Sequence, residues 1–387
     1  VNIRLKNEMR EGNLMPKKSV AIMTYHRAYN YGAALQAYAT VQYLKDAGFE
    51  PIIIDYCPNN ILGYGTFRNL FNDVSNMNSA FPIRVAKAFL KSLGNRKRIS
   101  IFDRFIDSEM PLTNKRYFSC QELKDDLPEA DIYCSGSDQV WNNYYTKKFD
   151  PSYFLAFAPS GSTCISIASS FGKSSFNEED SAFINNQLSK YTYLSVRETS
   201  GIKLLREMGY SDVDLMLDPT LLVSPDTWSR FAKDTDEESY VLLYQLHGDS
   251  DTANCARAYA KQHGLKIKSI ITMPYQTKPG CQNIIAPDVH EWVGLFKGAN
   301  CVFTDSFHGT VFSLVFNKPV AVTLPSHFST RITTLLNAVG ANDLICSDVQ
   351  EWSSRVRNID FTDIQRELAS LCAEKQALLR DRLSHIG

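Results

Sequence analysis

The residues best able to do chemistry in this chain gather in short polar seams. The stretch "TDSFHG", Thr304 to Gly309, sets an acid, a hydroxyl and a histidine between two apolar runs. Histidine titrates near neutral pH, so His308 can pass protons as acid or base. Asp305 can charge or orient a neighbour. Ser306 can cap the helix that starts behind it or touch a ligand. Gly309 lets backbone come close to a bound group. Where a strand ends and a helix begins, free N–H groups and the helix dipole favour an anion. Taken alone, the hexapeptide reads better as a capped helix with a structural histidine than as a site.

Three other seams have the same character. "GSDQVWN" places Gly136, Ser137 and Asp138 at a strand end, able to cap a helix or hold a hydroxylated ligand. Arg197 in "SVRE" also ends a strand, where a guanidinium can grip a carboxylate or phosphate through two parallel hydrogen bonds. An ion pair with Glu198 or Asp218 is its plainer role. Asn30 and Gly32 in "AYNYGAALQAY" open a helix, another anion-friendly end. Arg331, in "SHFSTRI" past the last strand, can reach the same cleft or sit on a helix surface. No His-Glu-x-x-His, Walker, Gly-x-Gly-x-x-Gly or Gly-x-Ser-x-Gly motif is present, and seven dispersed histidines give no reason to expect a metal.

Such seams need strands and helices to hold them. "SVAIMT" reads as a buried strand, Gly32 to Ala47 as a helix stopped by Gly48, and Glu50 to Asp55 as a second strand. Strands alternate with helices onward, which implies a mostly parallel α/β sheet. The polar "SPDTWSRFAKDTDEES" reads as a link, and a second α/β series follows it. The sequence therefore predicts a disordered leader over 1–16, one Rossmann-like domain over 17–222, a second over 223–361, and a charged helix over 362–387 that packs back on the first. The two domains face a cleft between their strand ends, the ordinary place for a ligand.

Composition narrows the class. Lys and Arg number 41 against 42 Asp and Glu among 387 residues, which argues against a dedicated nucleic-acid binder. Nine scattered cysteines with no Cys-x-x-Cys pair fit reduced core residues and a cytoplasmic chain. No apolar run reaches the ~18 residues of a membrane span. The basic helical stretch over 84–104 reads first as a solvated face and second as a peripheral contact with an anionic membrane or acceptor.

Taken in order, "NYGAALQAY", "GSDQVWN", "ASSFG", "SVRE", "LDPTLL", "TDSFHGTVFSLVFNKPV" and "STRITTLL" resemble the polysaccharide pyruvyl transferases over about Lys17 to Gly340. The resemblance implies an α/β fold of two Rossmann-like domains facing a cleft, GT-B-like. It also implies transfer of pyruvate from phosphoenolpyruvate to sugar hydroxyls, closing a ketal in capsule, exopolysaccharide or cell-wall polymer synthesis. The partners are then phosphoenolpyruvate and a nucleotide-linked, lipid-linked or polymeric sugar, with no cofactor and no metal. His308 matches the family's acid/base histidine, and Arg197 is similar to its donor-binding arginine. Ser169 and Ser170 match a segment that approaches the donor. Many members carry arginine two residues before the histidine, where Ser306 stands here. Arg331 is our choice to supply that charge. A GT-B glycosyltransferase using a nucleotide sugar and a non-enzymatic carbohydrate- or anion-binding protein are the alternatives.

Overall fold

The structure is a computed structural model that describes residues 17–58, 81–143, 148–235, 239–247, 251–325, 329–348, 350, 352 and 361–386, without the side chains of 81–94. The expected leader over 1–16 lies outside the described residues. Six strands form the first sheet: β1 (Ser19–Met23), β2 (Glu50–Ile53), β3 (Ile132–Ser135), β4 (Thr163–Ser166), β5 (Tyr191–Val196) and β6 (Val213–Leu215). Their order is β2-β1-β3-β4-β5-β6. Five form the second: β7 (Tyr240–Tyr244), β8 (Lys266–Ile271), β9 (Gln282–Ile285), β10 (Cys301–Thr304) and β11 (Val320–Val322), in the order β11-β10-β7-β8-β9. Every pairing is parallel. A parallel strand is covered on both faces, and the central strands β1, β3, β7 and β10 are buried almost throughout.

The helix Tyr31–Asp46 follows β1 and buries thirteen of its sixteen residues, so it has no solvent face of any width. It is wedged between the first sheet and the second domain. Tyr31 stacks on Trp292 of the second domain at 5.2 Å, and its hydroxyl donates to the Pro287 carbonyl at 2.7 Å. Tyr38 meets Trp228, which in turn meets Phe312 edge-on at 4.9 Å. One continuous apolar cluster thus runs from Val20 and Ile22 through Trp228 to Leu242 and Val302.

Two expectations change. The stretch read as a polar link contains a helix, Pro225–Phe231, capped by Ser224, and its Trp228 is fully buried between the domains. Seven residues with two apolar anchors are too few to show a helical period. β9 was not anticipated either, because a four-residue edge strand with half-exposed side chains carries almost no alternation.

The basic stretch belongs to one helix, Phe81–Glu109. Its Phe102, Phe105 and Ile106 are buried, and Lys97 Nζ donates to the Ile285 carbonyl at 3.3 Å. The last helix, Phe361–Ser384, runs from the second domain to the first. Gln365 donates to the Leu314 carbonyl at its start, and Arg382 meets Asp212 and Asp214 at its end. Among the described residues, no helix is long and apolar enough to cross a membrane.

Candidate active site

β10 ends at Thr304, and Ser306 is the N-cap of the helix Phe307–Val315, its Oγ accepting from the Gly309 N–H at 3.3 Å. Gly309 is required because a Cβ there would lie 2.3 Å from Thr304 Oγ1. Ser306 and Gly309 are therefore engaged in building the turn. Asp305 is buried and accepts from the Leu246 and His247 N–H groups at 2.7 and 2.9 Å, which ties the end of β7 to β10. The turn delivers His308 on the first helical turn, 9% exposed and facing the first domain.

What His308 faces is Gly32 and Asp218. A Cβ on Gly32 would stand 2.2 Å from His308 Nδ1, so the first helix accepts the imidazole only as glycine. Asn30, two residues earlier, caps that helix through Ala33 N–H at 2.8 Å and is exposed. His308 Nε2 lies 3.6 Å from Asp218 Oδ2, a charge contact longer than a hydrogen bond.

Asp218 is the centre of the first-domain half. It follows β6, caps the short helix Pro219–Leu222 through Thr220, and is 2% exposed. Its Oδ2 accepts from Arg197 Nη1 at 2.8 Å, and Ser137 Oγ stands 3.5 Å away. Burial alone would raise its pKa. The proximity of His308 and Arg197 and the hydrogen bonds from Thr220 more than offset this, so its carboxyl lies well below the usual carboxylate range. Asp218 is a fixed anion between a histidine and an arginine.

Arg197 is buried at the end of β5. Besides Asp218 it reaches Asp138 at 3.2 Å and lies 3.9 Å from Glu198. Burial acts to lower its pKa, but the three acids prevail and raise it. Its Nε is buried without a hydrogen-bond partner, as is Glu198 Oε2. Asp138 holds this contact from a left-handed backbone, φ 83°, which costs on the order of 1–3 kcal/mol and persists where surroundings enforce it. Gly136 is structural: a Cβ there would come within 2.9 Å of Thr24 Cβ. Ser170 donates to Glu198 Oε1 at 2.8 Å, and the Phe171 N–H joins it at 3.1 Å.

Arg331 comes from the helix Thr330–Ala338. Its guanidinium lies over the Phe307 ring at 5.6 Å, and that of Arg197 lies over the same ring at 5.7 Å. No carboxylate pairs with Arg331 among the described residues. Burial and then the charge of Arg197 pull its pKa down to about 10 against the opposing charges of Asp138, Glu198 and Asp218, so it is a cation at neutral pH that makes no ion pair among the described residues.

The structure thus brings His308, Gly32, Asp218, Arg197, Ser137, Asp138 and Arg331 around Phe307. Asn30, Gly136, Asp305, Ser306 and Gly309 serve its framework. Asp218 was missed as a site residue, because "LDPT" reads locally as a helix cap, which it also is. Among the described residues, no three His, Cys, Asp or Glu side chains converge as a metal would need. Cavities of about 650 Å³ beside Thr199 and Arg206 and about 220 Å³ beside Tyr193 and Arg382 share no residue with this cluster.

Two parallel α/β domains of GT-B type, with a histidine from one facing an acid–arginine pair from the other, define the class. The model of the family described as polysaccharide pyruvyl transferase matches residues 30–327, and the chain belongs to that family. Among solved structures it is similar to the UDP-GlcNAc 2-epimerase of Neisseria meningitidis bound to UDP-GlcNAc, at 12% identity and TM-score 0.50, covering 95% of this chain and 99% of that one. It is also similar to the S. aureus MnaA–UDP co-structure, at 12% identity and TM-score 0.50 over 90% of each chain. At this identity the likeness concerns the fold. No curated protein matches the sequence.

Proposed function

We propose that this cleft transfers pyruvate from phosphoenolpyruvate to hydroxyls of a sugar, forming a ketal. The observation that carries the reading is Arg331, a half-buried guanidinium with no carboxylate partner, set beside a second guanidinium whose charge three acids already balance. Such a group fits an anionic ligand better than a structural ion pair. Phosphoenolpyruvate offers a phosphate and a carboxylate; Arg331 supplies the cationic contact for one of them, and the buried Arg197 adds positive charge behind it. This assignment lets Arg331 do what an arginine at Ser306 does in relatives.

The chemistry begins with a proton delivered to the methylene carbon of the donor. The cation that forms at C2 is attacked by one sugar hydroxyl, which gives up its proton. Inorganic phosphate then leaves, and a second hydroxyl of the same sugar closes the ring with loss of another proton. His308 is the group placed to give or take these protons, and the Asp218 carboxylate 3.6 Å from its Nε2 orients the ring.

We place the product in capsule, exopolysaccharide or cell-wall polymer synthesis and the reaction in the cytoplasm, a reading supported by nine cysteines among which no disulfide forms. The exposed Arg96, Lys97 and Arg104 support a peripheral contact with an anionic membrane carrying the acceptor. Flotation with anionic liposomes tests that contact. For the reaction itself, stabilisation against heat by phosphoenolpyruvate and not by UDP- or GDP-sugars is the expected result. Phosphate release that depends on an added sugar acceptor completes the test. Stabilisation by nucleotide sugars alone would turn the assignment toward glycosyl transfer.

A further inference from the structure

A second unpaired guanidinium lies on the helix Phe81–Glu109. Arg98 makes one hydrogen bond, from Nη2 to Asn95 Oδ1 on its own helix at 2.8 Å, and its Nε is buried with no partner. No carboxylate pairs with it among the described residues. Burial lowers its pKa, and the nearest ionisable groups that oppose this are Tyr275, Tyr31 and Tyr29. This partly buried guanidinium, set near tyrosines, has among the described residues no carboxylate of the kind such groups ordinarily require.

Its position is fixed by the same helix face. Phe102, four residues on and so one turn along that face, packs on Tyr31 at 5.0 Å and Tyr29 at 6.5 Å. Lys97 reaches the Ile285 carbonyl at the end of β9. Arg98 therefore stands where the first domain's Tyr29–Tyr31 segment meets the second domain's strand ends. Gly32, which touches His308, is the next residue after Tyr31. Tyr275, 67% exposed after β8, is near enough to act on Arg98.

We propose that Arg98 binds an oxyanion carried by the acceptor, a phosphate or a sugar carboxylate, at a subsite separate from the Arg197–Arg331 pair, with Tyr275 flanking the sugar. The word acceptor rests on the pyruvyl-transfer reading; the anion site does not. Arg98 then selects acidic acceptors over neutral ones.

Titration calorimetry on the full chain at fixed ionic strength tests this with three probes: phosphoenolpyruvate, inorganic pyrophosphate and methyl glucuronide. Arg98→Gln is expected to weaken pyrophosphate or methyl glucuronide at least about tenfold, the scale of one lost charge-assisted contact, while phosphoenolpyruvate binds as before. Loss of the pyrophosphate arm identifies a phosphate-bearing acceptor, and loss of the glucuronide arm a uronate. Arg331→Gln is expected to do the reverse, and Arg98→Lys to restore part of the lost affinity. A melting curve for each variant shows that it is folded. The proposal is overturned if neither probe binds the native protein, if Arg98→Gln binds both unchanged, or if it loses phosphoenolpyruvate as fully as Arg331→Gln does. Failure of phosphoenolpyruvate to bind the native protein sinks the donor reading instead and leaves the other two arms to decide this one.

Discussion

Gly32 and His308 touch across the two domains so closely that a methyl group on the glycine would sit 2.2 Å from the imidazole Nδ1. The glycine lies inside a helix, where alanine is ordinarily better by about 1 kcal/mol. Helix propensity and the contact with His308 therefore pull in opposite directions. Gly32→Ala is expected to displace the imidazole and lower turnover about 10- to 100-fold, or ~1.4–2.8 kcal/mol in the barrier. Its melting temperature is expected to stay within a few degrees of the native value. Unchanged kinetics in a folded Gly32→Ala protein would show that the ring is free to move without consequence.

His308→Ala removes the group assigned to proton transfer. General acid–base catalysis contributes about 10²- to 10⁴-fold, so turnover should fall by that order or vanish. Phosphoenolpyruvate should still raise the melting temperature, because the arginines that hold it remain. Phosphate-release kinetics and thermal shift on one preparation separate the two effects. Full activity in the variant removes His308 from the mechanism.

Most of the frame was legible in the sequence, and the reasons are local. "SVAIM", "YVLLY" and "CVFT" are short β-rich apolar runs that two-sided burial in a parallel sheet demands. Their alternation with helices implies two Rossmann-like domains, and the family resemblance adds the GT-B likeness. The pairing of Asp218 with Arg197 was legible as that arginine's plainer role, but its place in the site was not, since His308 stands 90 positions away in the chain. A cap motif gives no hint of a second carboxylate oxygen turned toward another domain. Arg98 was hidden for the same reason. Read along one helix it is one basic residue among seven at 84–104, and only the packing of Phe102 shows that its face turns inward. His26, Arg27 and Asp55 form a buried ionic knot that no local pattern announced.

Arg331 makes no ion pair among the described residues, so its removal should act on the donor and spare the fold. Arg331→Gln is expected to raise the KM for phosphoenolpyruvate at least about tenfold, since a charge-assisted contact contributes about 1.5–3 kcal/mol. Stability should hold or rise slightly, because an unpaired, desolvated charge close to Arg197 is lost. Arg197→Gln should instead destabilise, because it strands Asp218 in the interior. Equal losses of stability in the two variants would contradict the assignment of Arg331 as a ligand-binding group.

The ionic knot behind the first loop makes the last prediction. Arg27, 2% exposed, donates through Nε and Nη2 to Asp55 at 2.5 and 3.0 Å, and also meets Asp103 and Asp107. His26 and Arg116 reach the same Asp55 carboxylate at 3.1 and 3.0 Å. Burial alone would raise the pKa of Asp55, but these three bases hold it well below the ordinary range. A depressed carboxylate stabilises the fold above its unfolded pKa of about 3.9 and loses that contribution as pH falls toward its folded value. Asp55→Asn removes the carboxylate shared by Arg27, His26 and Arg116, while Asp103 and Asp107 still reach Arg27, and is expected to cost about 1.5–3 kcal/mol at pH 7. The gap between native and variant should then close as pH drops below about 4, by ~1.4 kcal/mol per pH unit for one proton. Urea unfolding of both proteins from pH 7 to pH 3 measures it. A gap that stays constant over that range would mean that Asp55 acts through packing and hydrogen bonds and not through its charge.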